Sequence, residues 1–395
     1  MPASESIVAL RARYLFPVVG PPIENGVITL RGGLIQRVGT SCDVAPIDLG
    51  NVAILPGLVN AHTHLEFSAL EAPLGEPGEP LPTWIRRVIA YRRNADRTPE
   101  TAIQAGLAES QRAGVTTIGE IATTEWNESN AHVSVTLFQE VICLQADRID
   151  QVLAEERQRI AQRQGKCHPG ISPHAPYTVH PQLVEKLALL AAESSIPLAM
   201  HLAESQEEIE FLHTGRGPFR ELLVELGAWR EDANPAGKRP LAYLKMLSPA
   251  PRVLVVHGNY LDDEEITFLA ERSNQFTLVY CPRTHAYFGH SPYPLNKLIK
   301  NGVTVCLGTD SRASNLDLNL FEEMKFVARH HPHIRPSEIV RMATVQGAFA
   351  LQGAETKAGL VTGAQANVAI VKLPSRNDRN PYDLLLDDAS QVIDA

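Results

Sequence analysis

The chain has 395 residues, of which 44% are hydrophobic and 21% are charged, and its formal net charge is -9. This composition is typical of a globular protein, offers no basic stripe for nucleic acid, and includes no apolar run of membrane-spanning length. We therefore expect no nucleic acid and no membrane as partners, and a cytoplasmic location by default. The five cysteines lack a CxxC pair, so any metal site is expected to use histidine and carboxylate ligands.

The two ends of the chain predict short strands. Near the start, GVITLRGGLIQRVG alternates apolar and polar positions around Gly32 and Gly33, which is a hairpin signal. GLVTGAQANVAIVKL, at residues 359–373, has the same character. We favour the pairing of these two pieces into one small sheet, and separate edge elements are the alternative.

Between the ends, short apolar strands alternate with amphipathic segments of helical length. This pattern is typical of βα units around a parallel sheet. Eight strands are predicted, in the segments AILPGLVNAH, VTTIGEI, VSVTLFQEVIC, GISP, IPLAMHLAE, RVLVVHGN, FTLVYCP and VTVCLGTDS. Their number and spacing match a (β/α)8 barrel, with a doubly wound open sheet as the main competitor. The segment of residues 205–252 is expected to be a helical insertion with a loop over the barrel mouth.

Histidine and acidic side chains fall at the carboxyl ends of these strands. The candidates are His62 and His64 on the first strand, Glu120 on the second, His174 after the fourth, His201 and Glu204 on the fifth, His257 on the sixth and Asp310 on the eighth. In a barrel those ends form the catalytic face. A single such residue has ordinary explanations: Asp310 could be a helix N-cap, and Glu204 an acidic residue in the first turn of a helix.

Metal chemistry explains the residue types. Zn²⁺ and Fe²⁺ accept neutral imidazole and carboxylate oxygen, and a catalytic site keeps one position open for water. His62, His64, His201 and Asp310 supply three nitrogens and one oxygen. An ion there would lower the pKa of a bound water toward neutrality.

Four motifs in order, PGLVNAHTH, HLAE, VHGN and GTDS, resemble the amidohydrolase superfamily. The resemblance is to its mononuclear aminohydrolase and chlorohydrolase branch, which includes guanine, adenosine-derivative and cytosine deaminases and triazine hydrolases. It extends over about residues 20–375. It implies an α/β fold, a distorted (β/α)8 TIM barrel with a small β-sandwich formed by both chain ends. The domains expected are a composite β-sandwich of residues 1–55 plus 355–395 and a metal-dependent catalytic barrel of residues 56–354.

The resemblance also implies roles for individual residues. One divalent metal ion would be bound, with Zn²⁺ as the first candidate and Fe²⁺ as the alternative. Its ligands would be His62, His64, His201 and Asp310. Glu204 matches a glutamate that shuttles protons, and His257 a histidine that contacts the water or the reacting centre. Asp310 and His257 would orient and deprotonate the attacking water while Glu204 protonates a ring nitrogen. The segment GISPHAPY has no lysine to bridge a second ion.

Four residues are candidates for substrate binding. His174 lies in SPHAPYT, which resembles a pocket segment of nucleoside deaminases. Trp84 follows a loop rich in glycine and proline and could stack on a ring, or hold the next helix against the barrel. Glu140 lies in LFQEVIC of the third strand, and Glu66, Glu120 and Gln139 could line the same pocket. His285 replaces an asparagine of the related sequences, and could contact substrate or bond to its own loop.

The leading hypothesis is a metal-dependent hydrolytic deaminase of an amino-substituted heterocycle, such as a purine nucleoside derivative or aminofutalosine. A chlorohydrolase or a cyclic-amide hydrolase with the same site is the alternative within enzymes. A catalytically silent metal-binding protein is the alternative outside them. The expected partner is a small heterocyclic molecule, and a homodimer stays open.

Overall fold

The computed structural model describes residues 6–93, 98–124, 126, 132–162, 167–377 and 380–393. The strands of the described residues are, in chain order, β1 Val8–Leu15, β2 Ile23–Arg31, β3 Leu34–Gly39, β4 Ile47–Asp48, β5 Val52–Pro56, β6 Leu58–Thr63, β7 Val115–Ala122, β8 Ser134–Val141, β9 His168–Pro173, β10 Leu198–Leu202, β11 Val253–His257, β12 Phe276–Tyr280, β13 Val305–Leu307, β14 Val368–Lys372 and β15 Gln391–Ile393.

Helices separate most of the later strands. In the same residues they are α1 Leu81–Arg92, α2 Pro99–Arg112, α3 Ile149–Gln162, α4 Pro181–Glu193, α5 Gln206–Thr214, α6 Pro218–Glu225, α7 Pro240–Leu247, α8 Asp263–Ala270, α9 Pro282–Tyr287, α10 Leu295–Lys300, α11 Leu320–His330, α12 Pro336–Met342, α13 Val345–Gln352 and α14 Pro381–Leu385. Within the described residues, none of these helices has the length and apolarity needed to cross a membrane.

The main body of the molecule is a barrel of eight parallel strands. Strands β6 to β13 pair with their neighbours in sequence order. A parallel bridge between Thr63, at the end of β6, and Asp310, beyond β13, joins the first and last strands. The predicted (β/α)8 barrel is therefore confirmed, and the open doubly wound sheet is not formed.

The barrel strands are apolar because both of their faces are buried. Every residue of β10, β11 and β12 is buried, and Ala199, Leu254 and Val279 pack inside the barrel. A larger apolar cluster fills the layer between the strands and the surrounding helices. Both faces of these strands therefore lie in apolar surroundings, and their carboxyl ends carry the polar side chains of the site.

The two chain ends form a second, seven-stranded sheet. Its order is β15-β14-β5-β1-β2-β3, and β4 pairs with β1. The predicted hairpin connects β2 and β3, and Gly32 and Gly33 have φ angles of 57° and 72°, as a two-residue turn of this kind requires. The predicted pairing of the two ends is confirmed. The domain limits of residues 1–55 plus 355–395 and 56–354 stay a prediction.

One strand differs from its predicted extent. AILPGLVNAH was expected to be a single barrel strand, but β5 pairs with β14 in the terminal sheet, and the barrel begins with β6. The break falls at Gly57, where a Cβ atom would lie 2.1 Å from Thr116 Oγ1. The chain passes between the two sheets at a point that has no room for a side chain.

Candidate metal centre and active site

Three imidazoles meet at the carboxyl end of the barrel. His62 lies on β6, His64 just beyond it, and His201 on β10. The ring centroid of His62 is 4.8 Å from that of His64 and 4.9 Å from that of His201, and the Nε2 atoms of His64 and His201 are 3.3 Å apart. All three residues are buried. The alternation of His62 and His64 along one strand therefore produces a real convergence, with a partner from the fifth barrel strand.

Asp310 completes this cluster. Its Oδ1 atom is 3.7 Å from His62 Nε2 and 3.8 Å from His64 Nε2, while Oδ2 accepts a hydrogen bond from Ser314 Oγ at 3.2 Å. The separations from Oδ1 exceed hydrogen-bond length. They are close to the separation of about 3.4 Å expected between two ligand atoms that each lie about 2.1 Å from a tetrahedral ion.

The donor set fits a divalent cation. Three buried ring nitrogens have no hydrogen-bond partner in the described part of the chain. They are Nδ1 and Nε2 of His62 and Nδ1 of His64. Buried polar atoms without partners are rare in folded proteins, and a bound ion would give the Nε2 atom of His62 a partner. His201 Nδ1 donates to the carbonyl oxygen of His174 at 3.0 Å, so its Nε2 lone pair faces the cluster.

The histidines of the cluster are neutral. Burial, followed by the neighbouring imidazoles, lowers the pKa of His62 and of His64 well below the usual range. Burial, followed by the nearby His174, lowers the pKa of His201 to about 3. Neutral imidazole is the form that binds a metal ion.

Hydrogen bonds tie Asp310 to the first barrel strand. Asn60 Nδ2 donates to Thr309 Oγ1 at 2.8 Å, and the Thr309 N–H donates to Asn60 Oδ1 at 3.0 Å. The Asp310 N–H donates to the carbonyl oxygen of His62 at 3.1 Å. These bonds close the barrel where the candidate ligands lie. Asp310 and His257 have φ angles of 58° and 70°, a costly conformation for residues with a Cβ that is typical of functional sites.

A buried carboxylate braces the chain on both sides of His64. Glu120, on β7, accepts a hydrogen bond from Thr63 Oγ1 at 2.6 Å and from the Leu65 N–H at 3.0 and 3.1 Å. Its side chain is not among those that line the cavity of about 360 Å³ beside the cluster. Glu120 was predicted to line the pocket, and the structure instead gives it contacts that hold His64 in position.

Glu204 and His257 form a second polar pair beside the cluster. Glu204 follows β10, His257 ends β11, and Glu204 Oε1 is 3.5 Å from His257 Nε2. Burial, followed by the negative charge of Asp310, raises the pKa of Glu204 well above its usual range. A raised pKa favours the protonated form of a carboxyl group, which is the form that can donate a proton.

The backbone at Glu204 is fixed by residues that the sequence did not single out. Glu208 accepts hydrogen bonds from the Ala203 and Glu204 N–H groups at 2.9 and 2.8 Å, and Asn259 Nδ2 donates to the Glu204 carbonyl oxygen at 2.8 Å. Glu208 could have been noticed in the sequence because it lies four residues after Glu204, in the first turn of α5.

Asp310 is not a helix N-cap, and Glu204 is not an acidic residue in the first turn of a helix. Asn319, not Asp310, caps the helix that follows the last barrel strand, and its side chain accepts from two N–H groups of α11. Ser205 caps α5, so Glu204 precedes the cap and lies outside the first turn.

A cavity of about 360 Å³ opens beside the cluster. Its polar wall includes His64, His201, Glu204, His257 and Asp310. Its opposite wall is largely apolar and comes from α1, α6 and the segments around them, with the side chains of Leu81, Trp84, Ile85, Val88, Ile89, Leu144, Leu222, Leu223 and Leu226. This size and lining suit a small heterocycle with a substituent.

Three of the four predicted substrate-binding residues line this cavity, namely His174, Trp84 and Glu140. Trp84 also fits the alternative that it anchors its helix, because its Nε1 donates to the Ala313 carbonyl oxygen at 3.2 Å. His285 is not among the residues that line the cavity. It lies on α9, which begins at Pro282. Its ring centroid is 5.8 Å from that of Tyr280 and 5.5 Å from that of Tyr293, so His285 packs against these two tyrosines and not against the cavity.

The remaining pocket candidates have other partners. Gln139 Nε2 donates to the Ala122 carbonyl oxygen at 2.9 Å. Glu66 is buried and accepts from Arg92 Nη2 at 2.7 Å. Arg92 also lines the cavity. Helical spacing alone did not show that the first loop folds Glu66 underneath α1.

A model of the amidohydrolase family matches residues 53–392, which is most of the chain. The chain belongs to the amidohydrolase family. As an amidohydrolase it is a hydrolase that acts on carbon–nitrogen bonds other than peptide bonds. The resemblance stated from the four motifs is therefore confirmed.

Two relatives of this amidohydrolase carry specific names. A 5-methylthioadenosine/S-adenosylhomocysteine deaminase of Pyrococcus furiosus is 28% identical over 390 residues, which are 94% of this chain and 85% of the relative. An aminodeoxyfutalosine deaminase of Deinococcus radiodurans is 32% identical over 319 residues, which are 77% of this chain and 74% of the relative.

Among solved structures, an adenosine deaminase from Xanthomonas campestris with bound zinc has the same fold. It superimposes with a TM-score of 0.76 at 24% identity, over 98% of this chain and 90% of that protein. This likeness supports the barrel with its terminal sheet.

Proposed function

We propose that this amidohydrolase is a metal-dependent hydrolytic deaminase of an amino-substituted heterocycle, with a purine nucleoside derivative as the substrate class. One observation carries the proposal: the cavity joins the His/Asp cluster to the buried carboxyl group of Glu204, which lies three residues after His201 and 3.5 Å from His257 Nε2. The relatives of similar length are deaminases of adenosine derivatives and of aminodeoxyfutalosine.

The proposed ligands of one divalent metal ion are His62, His64, His201 and Asp310. Zn²⁺ is the ion we favour, because three imidazoles and one carboxylate suit it and the similar adenosine deaminase holds zinc; Fe²⁺ is the second choice. When bound, such an ion supplies a positive charge that makes water a nucleophile at neutral pH.

The protein's own groups move the protons. Glu204 gives its proton to a nitrogen of the substrate ring, which makes the neighbouring amine-bearing carbon electrophilic. Asp310, with His257 beside it, accepts a proton from the attacking water. A proton passed to the exocyclic amine lets ammonia leave, so that the amine and water are converted to a carbonyl group and ammonia.

The apolar wall binds and orients the ring. Trp84 and His174 line the cavity, and the surrounding leucine and isoleucine side chains exclude water from the reacting centre. His174 Nδ1 forms a hydrogen bond with Thr178 Oγ1 at 2.7 Å, and its Nε2 is 3.8 Å from Glu140 Oε1.

The test is ammonia release from a panel of aminopurines, purine nucleosides, pterins and aminopyrimidines, with metal measured by elemental analysis. We expect about one metal ion per chain, release from purine nucleosides, and loss of release in Glu204→Gln and Asp310→Asn. Ammonia release by metal-free protein would refute the metal role. Chloride release or cyclic-amide hydrolysis without any ammonia would replace the deaminase by the alternative hydrolases.

A further inference from the structure

A carboxylate oxygen in the cavity wall lacks a hydrogen-bond donor. Glu140 lies on β8, near its carboxyl end, and its side chain is 4% exposed. No described residue donates a hydrogen bond to its Oε1 atom, and His174 Nε2 is 3.8 Å away, beyond hydrogen-bond distance. Leaving such an oxygen without a donor is costly, so its place in the cavity wall points to a donor on the ligand.

Arg92 does not supply that donor. Its Nε and Nη2 atoms donate to Glu66 Oε1 at 3.2 and 2.7 Å, which binds the guanidinium to a different carboxylate. Its charge still acts on Glu140: burial raises the pKa of Glu140, and the positive charge of Arg92 opposes that rise. Glu140 is therefore an acceptor held beside a cation.

The charges around Glu140 restrict what can bind it. The positive charge of Arg92 offsets one of the two negative charges of Glu66 and Glu140, and an anionic group on the ligand would be repelled by these carboxylates. A neutral O–H or N–H group donates to the free oxygen without that repulsion. Glu140 lies at a strand end, and Arg92, Gln145, Arg148, His174 and Thr178 are other polar residues that line the same cavity.

Glu140 and Glu204 face one cavity from different strands, β8 and β10, which are separated by β9. A ring that reaches Glu204 leaves its substituent to extend along the wall that carries Glu140. We propose that Glu140 determines specificity by accepting a hydrogen bond from a sugar hydroxyl on the substrate's ring. This inference rests on the proposed deaminase function, and it assigns the recognition of the sugar to Glu140.

The first experiment compares kcat/KM for adenosine, 5′-deoxyadenosine and 2′,3′-dideoxyadenosine in the wild-type protein and in Glu140→Gln. A hydrogen bond to a charged group corresponds to a discrimination of about 10- to 100-fold. We expect the kcat/KM of the wild type to be lower by that factor for one of the two deoxy analogues than for adenosine. In Glu140→Gln most of this difference should disappear, because its kcat/KM falls for adenosine and not for that analogue. Glu185→Gln, at an exposed position of α4 that does not line the cavity, is the matched control and should keep the wild-type ratio.

A wild type that treats all three compounds alike would overturn the inference. So would a Glu140→Gln variant that slows on all three by the same factor, since that result indicates a structural effect on the site.

A second measurement separates this inference from the proposed function. Dissociation constants for the same compounds are measured on metal-loaded Glu204→Gln protein, with and without Glu140→Gln. If the wild type releases no ammonia from any nucleoside, the deaminase proposal fails, but an affinity difference that depends on Glu140 still supports its role. An affinity difference that is the same with and without Glu140→Gln, or no nucleoside binding at all, would overturn that role.

Discussion

The two walls of the cavity are built in different ways. The inner wall comes from strand ends, and its histidine and acidic side chains are buried; hydrogen bonds between Asn60 and Thr309 and from the Asp310 N–H to the His62 carbonyl oxygen fix these strand ends to each other. The outer wall comes from α1 and α6, which are joined by an ion pair between Arg86 and Glu225 whose side chains are 36% and 56% exposed. The barrel thus fixes the reacting groups, while the helices over its mouth form a surface that can vary with the substrate.

The largest effect is expected from removing a ligand of the inner wall. His62→Ala should abolish metal binding and lower the rate of ammonia release by more than about 1000-fold, beyond the roughly 10- to 100-fold typical of groups that only support a ligand. Elemental analysis and the ammonia assay measure both effects. His285→Ala removes an imidazole that does not line the cavity and should keep its metal; equal metal loss in both variants would contradict the assignment.

Glu204→Gln should separate proton transfer from metal binding. Loss of a general acid lowers kcat by about 100- to 10,000-fold, and the metal content should stay at the wild-type value because the residue is not a proposed ligand. Glu210→Gln, at an exposed position of α5, serves as the control. A Glu204→Gln variant that loses metal together with its activity would instead make Glu204 part of the metal site.

Glu120→Gln tests the brace behind His64. The glutamine amide places an N–H group where the carboxylate accepts a hydrogen bond from Thr63 or Leu65, so one of the bonds that position His64 is lost. We expect the metal affinity to fall by about 10- to 100-fold. Competition with a chelator measures this affinity. Excess metal should restore most of the activity. A variant with unchanged metal affinity would show that the barrel holds His64 without this carboxylate.

Most of the inner wall could be predicted from sequence. His62 and His64 alternate along a strand, and their partners follow later strands in a fixed order, so a strand pattern and four motifs were sufficient. Asn60 could have been found as well, because it lies two residues before His62 on the same face of the strand. Glu120 was noticed as a residue at a strand end, but its bonds to Thr63 and Leu65 depend on pairing between β6 and β7 that only the structure gives.

The outer wall could not be predicted in the same way. Arg92 has the spacing of a solvated helical face, and its burial depends on how the first loop places Glu66 beneath α1. His285 was expected near the cavity because it replaces an asparagine that related sequences have near the pocket mouth, yet it lies on α9 and does not line the cavity. Helix orientation and loop paths depend on tertiary packing, which local sequence patterns do not encode.

On the outer wall, Trp84→Ala should act mainly on binding. Loss of the indole removes apolar contact with a ring and the bond to Ala313, and we expect KM to rise by about 10-fold while kcat changes by less than about 3-fold. Steady-state kinetics with a purine nucleoside measure the two constants, and Trp84→Phe should recover part of the binding. A fall in kcat at unchanged KM would place Trp84 in the chemistry of the reaction.

The smallest effect is expected at the ion pair between α1 and α6. Exposed pairs contribute at most about 1 kcal/mol, so Arg86→Gln should change kcat/KM by less than about 3-fold and leave the metal content unchanged. A loss comparable to that of Trp84→Ala would mean that the position of α6 governs the reaction, and the contrast between the two walls would not hold.

The central claim is that the inner wall holds one metal ion on which deamination depends. The direct measurement is ammonia release from a purine nucleoside by protein stripped with a chelator and then titrated with Zn²⁺. The account predicts no release from stripped protein and a linear recovery that ends at about one equivalent of metal per chain. Full activity in the stripped protein, with no response to added metal, would contradict it.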